Sequence, residues 1–179
     1  MQSTSDDQGF TEEVLSLLST PVGAIVVTWS FVDRIVDILV SMMAETPGAA
    51  KHLKVDRNGA RAKPTNFADK MKFLKRALRT EPAAAPILQE IEAAIAQCEQ
   101  LGEFRHTVCH GTLTAYVEET RRVIFARFSK SGGRRDLRAI TLDDLFEVPI
   151  HLNQLVARLQ EIVENLHGRI GNDTSDELA

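Results

Sequence analysis

Three features of this 179-residue chain predict an all-α fold: a helical bundle of four to five helices with a small β-hairpin insertion near 121–140. A content of 44% hydrophobic and 26% charged residues suits one packed domain spanning 1–179 and excludes a wholly disordered chain. Only 6% of residues are aromatic, whereas Ala, Leu, Ile, Val, Glu and Arg are plentiful, which favours helices over a β-sandwich. Apolar residues recur at helical spacing along most of the chain and change period only around 121–140.

Residues 1–10 are polar and expected to be a flexible tail. Thr11-Glu-Glu-Val opens a short helix with acids in its first turn, where the helix dipole favours them. Thr20-Pro21 restarts the chain as a second, central helix to about Glu45, apolar around most of its circumference and ended by Thr46-Pro47-Gly48. Residues 48–64 show no period and read as a loop. A helix from about Asn66 to Arg79 carries Phe67, Met71, Leu74 and Leu78 on one face. After Glu81-Pro82 a long helix runs from about Ala83 to His110, with Gly111 as its stop. In 121–140, Val123, Phe125 and Phe128 precede Ser129-Lys-Ser-Gly-Gly133 and a second run to Ile140, a hairpin with a glycine turn. Thr141-Leu-Asp-Asp144 has the form of a capping box for a last helix closed at Gly168. Pro149 is expected to kink that helix or split off its first turn, and 171–179 to form a second flexible tail.

The net charge is −4, unevenly spread. Lys51–Arg79 holds ten basic residues against Asp56 and Asp69, a local +8, and Arg121–Arg138 carries +6. Two basic segments in an acidic chain suggest an anionic partner such as nucleic acid, although a solvated charged surface has the same composition. Cys98 and Cys109 are too few for a disulfide framework or a four-thiolate zinc site. Residues 1–20 carry four acids, no Lys or Arg and no apolar run, so no secretory signal is expected. Val22–Met43 is interrupted by Asp33, Arg34 and Asp37, against a membrane span. A soluble, cytoplasmic protein in a reducing compartment is expected.

The segment richest in chemistry is Glu103-Phe-Arg-His-Thr-Val-Cys-His-Gly111. At about 100° per residue, Ile87, Ile91, Ala94, Cys98, Leu101 and Cys109 define a buried face with Arg105 in its middle. His106 falls about 100° and His110 about 140° away from that centre. An isolated buried guanidinium is costly, so Arg105 must be paired or face a cleft. In a purely structural account Arg105 pairs with Asp33 or Asp37, His110 caps the helix end and His106 is surface.

Arg105-His106-Thr-Val-Cys-His110-Gly111 resembles the signature of the HEPN superfamily (higher eukaryotes and prokaryotes nucleotide-binding): an Arg, a polar residue, then a His four to six positions after the Arg, near the end of a helix in an all-α bundle. The resemblance implies a metal-independent endoribonuclease that acts as a homodimer with both motifs in one cleft. It also implies a bacterial defence or toxin–antitoxin setting with an antitoxin or other partner protein. RNA carries its own nucleophile, the ribose 2′-OH, so no metal or cofactor is required. His110 would be the base or the acid, Arg105 the phosphate clamp and His106 a helper at the phosphate. Asp33 and Asp37 would orient Arg105, and Lys70, Lys72, Lys75, Arg76 and Arg79 would bind the RNA backbone. Products would be 2′,3′-cyclic phosphate and 5′-OH ends. Some HEPN toxins carry a Tyr two residues after the His. That position here is Thr112, so regulation by nucleotide attachment is not implied. Since some HEPN domains have lost activity, a non-catalytic interaction or ligand-binding module is the alternative.

Two metal patterns also occur. Glu103-x-x-His106 and Glu164-x-x-His167 match half-sites of di-iron bundles, but Glu164 rotates to the solvent side of its helix. His106 and His110 with Cys109 between them resemble a zinc set, but Cys109 rotates away from the imidazoles.

Overall fold

The structure, a computed structural model, describes residues 12–55, 57–128 and 135–176. The chain is mostly helical, with five helices, but it has two small antiparallel sheets where one hairpin was expected. Helix α1 (Glu12–Glu45) runs unbroken through Pro21, where a restart was expected. Pro21 forfeits one backbone hydrogen bond, but it is buried on the same stripe as Leu18 and Ile25, and that packing carries the helix through. Residues 48–64 are more ordered than a loop: α2 (Pro47–Ala50) is followed by strands β1 (Lys54–Val55) and β2 (Arg61–Ala62), paired Lys54↔Ala62.

Helix α3 (Phe67–Thr80) starts at Asn66, whose side chain accepts from the Asp69 amide at 2.9 Å. Its buried face is wider than the expected stripe and takes in Lys70, Phe73 and Ala77, because α3 is packed against both α1 and α4. Pro82–Ile87 forms a 3₁₀ turn, and α4 (Leu88–His110) begins later than expected because Pro86 has no N–H to return to Pro82. Gly111 ends α4 as expected, its amide donating to the Thr107 carbonyl at 2.9 Å.

The chain then enters a strand that was not anticipated, β3 (Thr112–Val117), which completes a sheet of order β3-β4-β5 with β4 (Arg122–Phe128) and β5 (Arg135–Thr141). The Ser129–Gly133 turn and the 1–10 tail lie outside the described residues. The capping box forms as expected: Thr141 Oγ1 accepts from the Asp144 amide at 3.0 Å, and the Thr141 amide donates to Asp144 at 3.3 Å. It opens α5 (Leu142–Asp176), which neither splits at Pro149 nor stops at Gly168. The expected tail is therefore helical through Asp176, and 177–179 lie outside the described residues.

Helix α1 packs along α5 and against α3 and α4, placing Ile25, Leu39 and Met43 in one core with Ile91, Leu152 and Leu159. By length and composition α1 could also cross a membrane, with a mean hydropathy of 1.7 in its best window. In this fold eleven of its side chains are buried against the other elements. The three-stranded sheet covers the C-terminal end of α4, where Phe125 lies against Gly111.

Candidate active site at the end of α4

The last two turns of α4 hold Glu103, Arg105, His106, Thr107 and His110. The sheet changes the face that this segment buries. Thr107 and Val108 turn inward, while Arg105 and Cys109, expected at the buried centre, are only half-buried. Arg127 on β4 forms an ion pair with Glu103, and its Nη1 also donates to Thr107 Oγ1 at 3.4 Å. Thr107 Oγ1 in turn donates to the Glu103 carbonyl at 3.1 Å. The sheet thus braces the helix end that presents the motif.

Arg105 Nη1 donates to His110 Nε2 at 3.1 Å. A guanidinium has donors only, so this nitrogen must be the acceptor and must be unprotonated. The His106 and His110 rings, one turn apart, have centroids 4.9 Å apart at 54°. Arg105 Nε is buried and has no hydrogen-bond partner among the described residues. The three residues of the sequence motif therefore converge, and a buried donor is left over. Burial holds the His106 imidazole below its usual pKa of 6.5, helped by the charge of Arg127 and by His110, with Glu103 opposing.

Arg105 lines two open cavities. One, of about 380 Å³, is lined by Trp29, Phe67, Met71, Lys72, Gly102 and His106 among others. The other, of about 320 Å³, adds Ser30, Asp33, Thr65 and Lys70. Trp29 and Phe67 form a tilted aromatic pair at 5.0 Å shared by both cavities.

Other expected site residues fall elsewhere. Asp33 and Asp37 do not hold Arg105. They hold Lys70, at 2.9 and 2.7 Å. Lys70, expected on an RNA-binding surface, is only 4% exposed. Burial of the ammonium opposes its charge, but the hydrogen bonds to Asp37 and Asp33 outweigh this and raise its pKa. Lys75 pairs with Glu99 at 2.7 Å, Arg79 with Glu92 at 2.8 Å, and Lys72 lies 3.9 Å from Asp69. Arg76 is exposed and forms no ion pair among the described residues. The basic face of α3 is thus largely neutralised by neighbouring carboxylates, and Lys72 alone of the five borders the 380 Å³ cavity.

Both thiols are held protonated. Burial pushes Cys98 up to about 12, and burial also raises Cys109 against the opposing charge of Arg105. No cluster of three or more His, Cys, Asp or Glu placed to hold a metal ion occurs among the described residues, and Glu164 is exposed. The pairing of Glu103 with Arg127 was not anticipated. Its only signal was an acid one turn before the imidazoles and an arginine in a β-patterned segment. No family model, curated protein or solved structure matches the chain.

Proposed function

We propose that this chain is a HEPN-type, metal-independent endoribonuclease that acts as a homodimer. The observation that carries this is the Arg105–His110 contact, with its unprotonated Nε2 and the unsatisfied Arg105 Nε beside an open cavity. A guanidinium left one buried donor short suits an entering phosphate, whose oxygens can accept from Nε and an Nη together. Once Arg105 turns to the phosphate, His110 Nε2 is released as a ready base. The 2′-OH proton passes to His110, O2′ bonds to phosphorus, and the P–O5′ bond breaks as the cyclic phosphate closes. The imidazolium so formed on His110 gives this proton to O5′ as it leaves, so the step balances within the cleft that the second motif completes. Arg105 stabilises charge building on the non-bridging oxygens, and the neutral His106 ring offers an N–H to the same phosphate. A bundle that binds a ligand without cutting it is favoured by one observation, the neutralised basic face of α3.

Incubating a long single-stranded RNA with purified protein in EDTA should give fragments with 2′,3′-cyclic phosphate ends. Arg105→Ala and His110→Ala, checked as folded by thermal melts, should each lose at least about a hundredfold in rate, the usual scale for a general base or a charge-stabilising donor. Uncut RNA with wild type, or full activity in either variant, overturns the proposal.

A further inference from the structure

The cavity of about 380 Å³ beside Arg105 differs in character from the motif it adjoins. Its wall is aromatic and apolar: Trp29, Phe67 and Met71 face it, and Gly102 lets the two rings lie against the α4 backbone. A Cβ at Gly102 would sit 3.0 Å from Trp29 and 3.2 Å from Phe67, so any larger residue would displace that wall. The cavity's charged and polar lining residues are Lys72, Glu99, Glu103, Arg105 and His106.

An aromatic and apolar wall with a few polar groups around it suits a single unstacked nucleobase, which would lie on the partly exposed Phe67 ring beside the buried Trp29. The volume falls near the low end for small-ligand sites and suits one nucleoside rather than an extended ligand. Glu103 is committed to Arg127 through a half-buried arginine. Among the described residues Glu99 is bound only to Lys75, with side chains 44% and 43% exposed, an ion pair that is cheap to open. Freed, Glu99 offers a fork of acceptors and no donor. Guanine is the base whose edge presents two adjacent N–H donors, N1–H and N2–H, to such a fork. Adenine and the pyrimidines place an acceptor next to their donor, which a carboxylate would repel.

We infer that the Trp29–Phe67 cavity is a base-recognition subsite that takes an unpaired guanosine, read by Glu99, with the adjoining phosphate on Arg105. This deepens the nuclease proposal and assumes it for the identity of the phosphate, though ligand binding can be measured without cleavage. Trp29 is the sole tryptophan of the chain and lines this cavity and its 320 Å³ neighbour, so its emission reports on ligands at the Trp29–Phe67 pair, and the Glu99→Gln variant assigns the response to the 380 Å³ side. Guanosine 3′-monophosphate titrated into the full-length protein should quench or shift that emission, about tenfold or more tighter than cytidine 3′-monophosphate, as expected for a lost bond to a charged acceptor. Inorganic phosphate alone should leave the emission almost unchanged. Glu99→Gln, at an exposed position that tolerates change, should erase the guanosine preference while the thermal melt stays in place. Equal responses to both nucleotides, or a preference that survives Glu99→Gln, would overturn the base reader. Silence of Trp29 toward every nucleotide while RNA is still cut would overturn the subsite and leave the nuclease proposal standing. A guanosine-selective response without RNA cleavage would uphold the subsite and sink the nuclease.

Discussion

His106 is the residue whose charge state the site controls most visibly. Its imidazole is disfavoured as a cation first by burial and then by Arg127 and by His110. Folding therefore lowers its pKa from 6.5, and the neutral ring favours the native state. That contribution is whole above pH 6.5 and is lost as pH falls through the folded value. The expected outcome is an NMR titration of the His106 ring with a midpoint below 6.5. Arg127→Gln should move it upward, since the change removes a cation and leaves Glu103 unpaired nearby. An unmoved midpoint in that variant would mean that Arg127 does not set the charge state of His106. Lys70 shows the opposite arrangement, a buried cation kept charged by two half-exposed carboxylates. Its place in the core comes from charge pairing across two helices, and it is unavailable to a ligand on the α3 surface.

Helix α4 turns these residue properties into geometry, and Gly111 is where it does so. The Gly111 backbone is extended, with φ −76° and ψ 151°, which any residue can adopt. The constraint is steric: a Cβ there would collide with the Thr107 carbonyl oxygen and lie 3.2 Å from Phe125 Cβ. Both neighbours are fixed, one by the helix and one by the sheet, so Gly111→Ala should cost about 1–3 kcal/mol, the usual scale of overpacking. It should also tilt the turn that carries His110, so that RNA cleavage falls further than the melting temperature. A variant with wild-type stability and rate would show that the sheet does not set the His110 position. The stop at Gly111 was legible in the sequence, as were the Asn66 start and the Thr141–Asp144 box, because caps are local chemistry written in adjacent residues. Pro21 and Pro149 misled for the converse reason: long-range burial along α1 and α5 outweighs a local breaker. Thr112–Val117 carried a strand signal, the Thr-Leu-Thr alternation and β-formers after a glycine, that went unused. In the site, the Arg105–His106–His110 cluster was legible because it lies within six residues of one helix. The partners of Asp33, Asp37 and Glu103 were not, since they sit on other elements and only folding brings them near.

On the scale of the whole molecule, α1 presents an exposed apolar face. Val27 is 60% exposed, Phe31 51% and Ile38 41%, and their spacing puts them within about 40° of one another on the helix. Phe146 and Ile150 on α5 are exposed as well. Lipid is a poor cover for α1, because insertion would strip Asp33 and Asp37 from Lys70 and unpack the core. A second copy of the chain is a better one. Val26, next to this strip, lines the 320 Å³ cavity that Arg105 also lines, so copies meeting along α1 would bring two Arg105–His110 motifs toward one cleft. Sedimentation of the wild type at micromolar concentration should therefore give a dimer. Val27→Glu combined with Phe31→Glu should give a monomer whose melting temperature is little changed, since exposed positions contribute within about 0.5 kcal/mol to folding. The same monomer should fail to cut RNA, because the scissile phosphate would lack the second motif of the cleft. A monomeric wild type that cuts RNA would show that one motif suffices, and a double variant that remains dimeric would place the interface elsewhere than on α1.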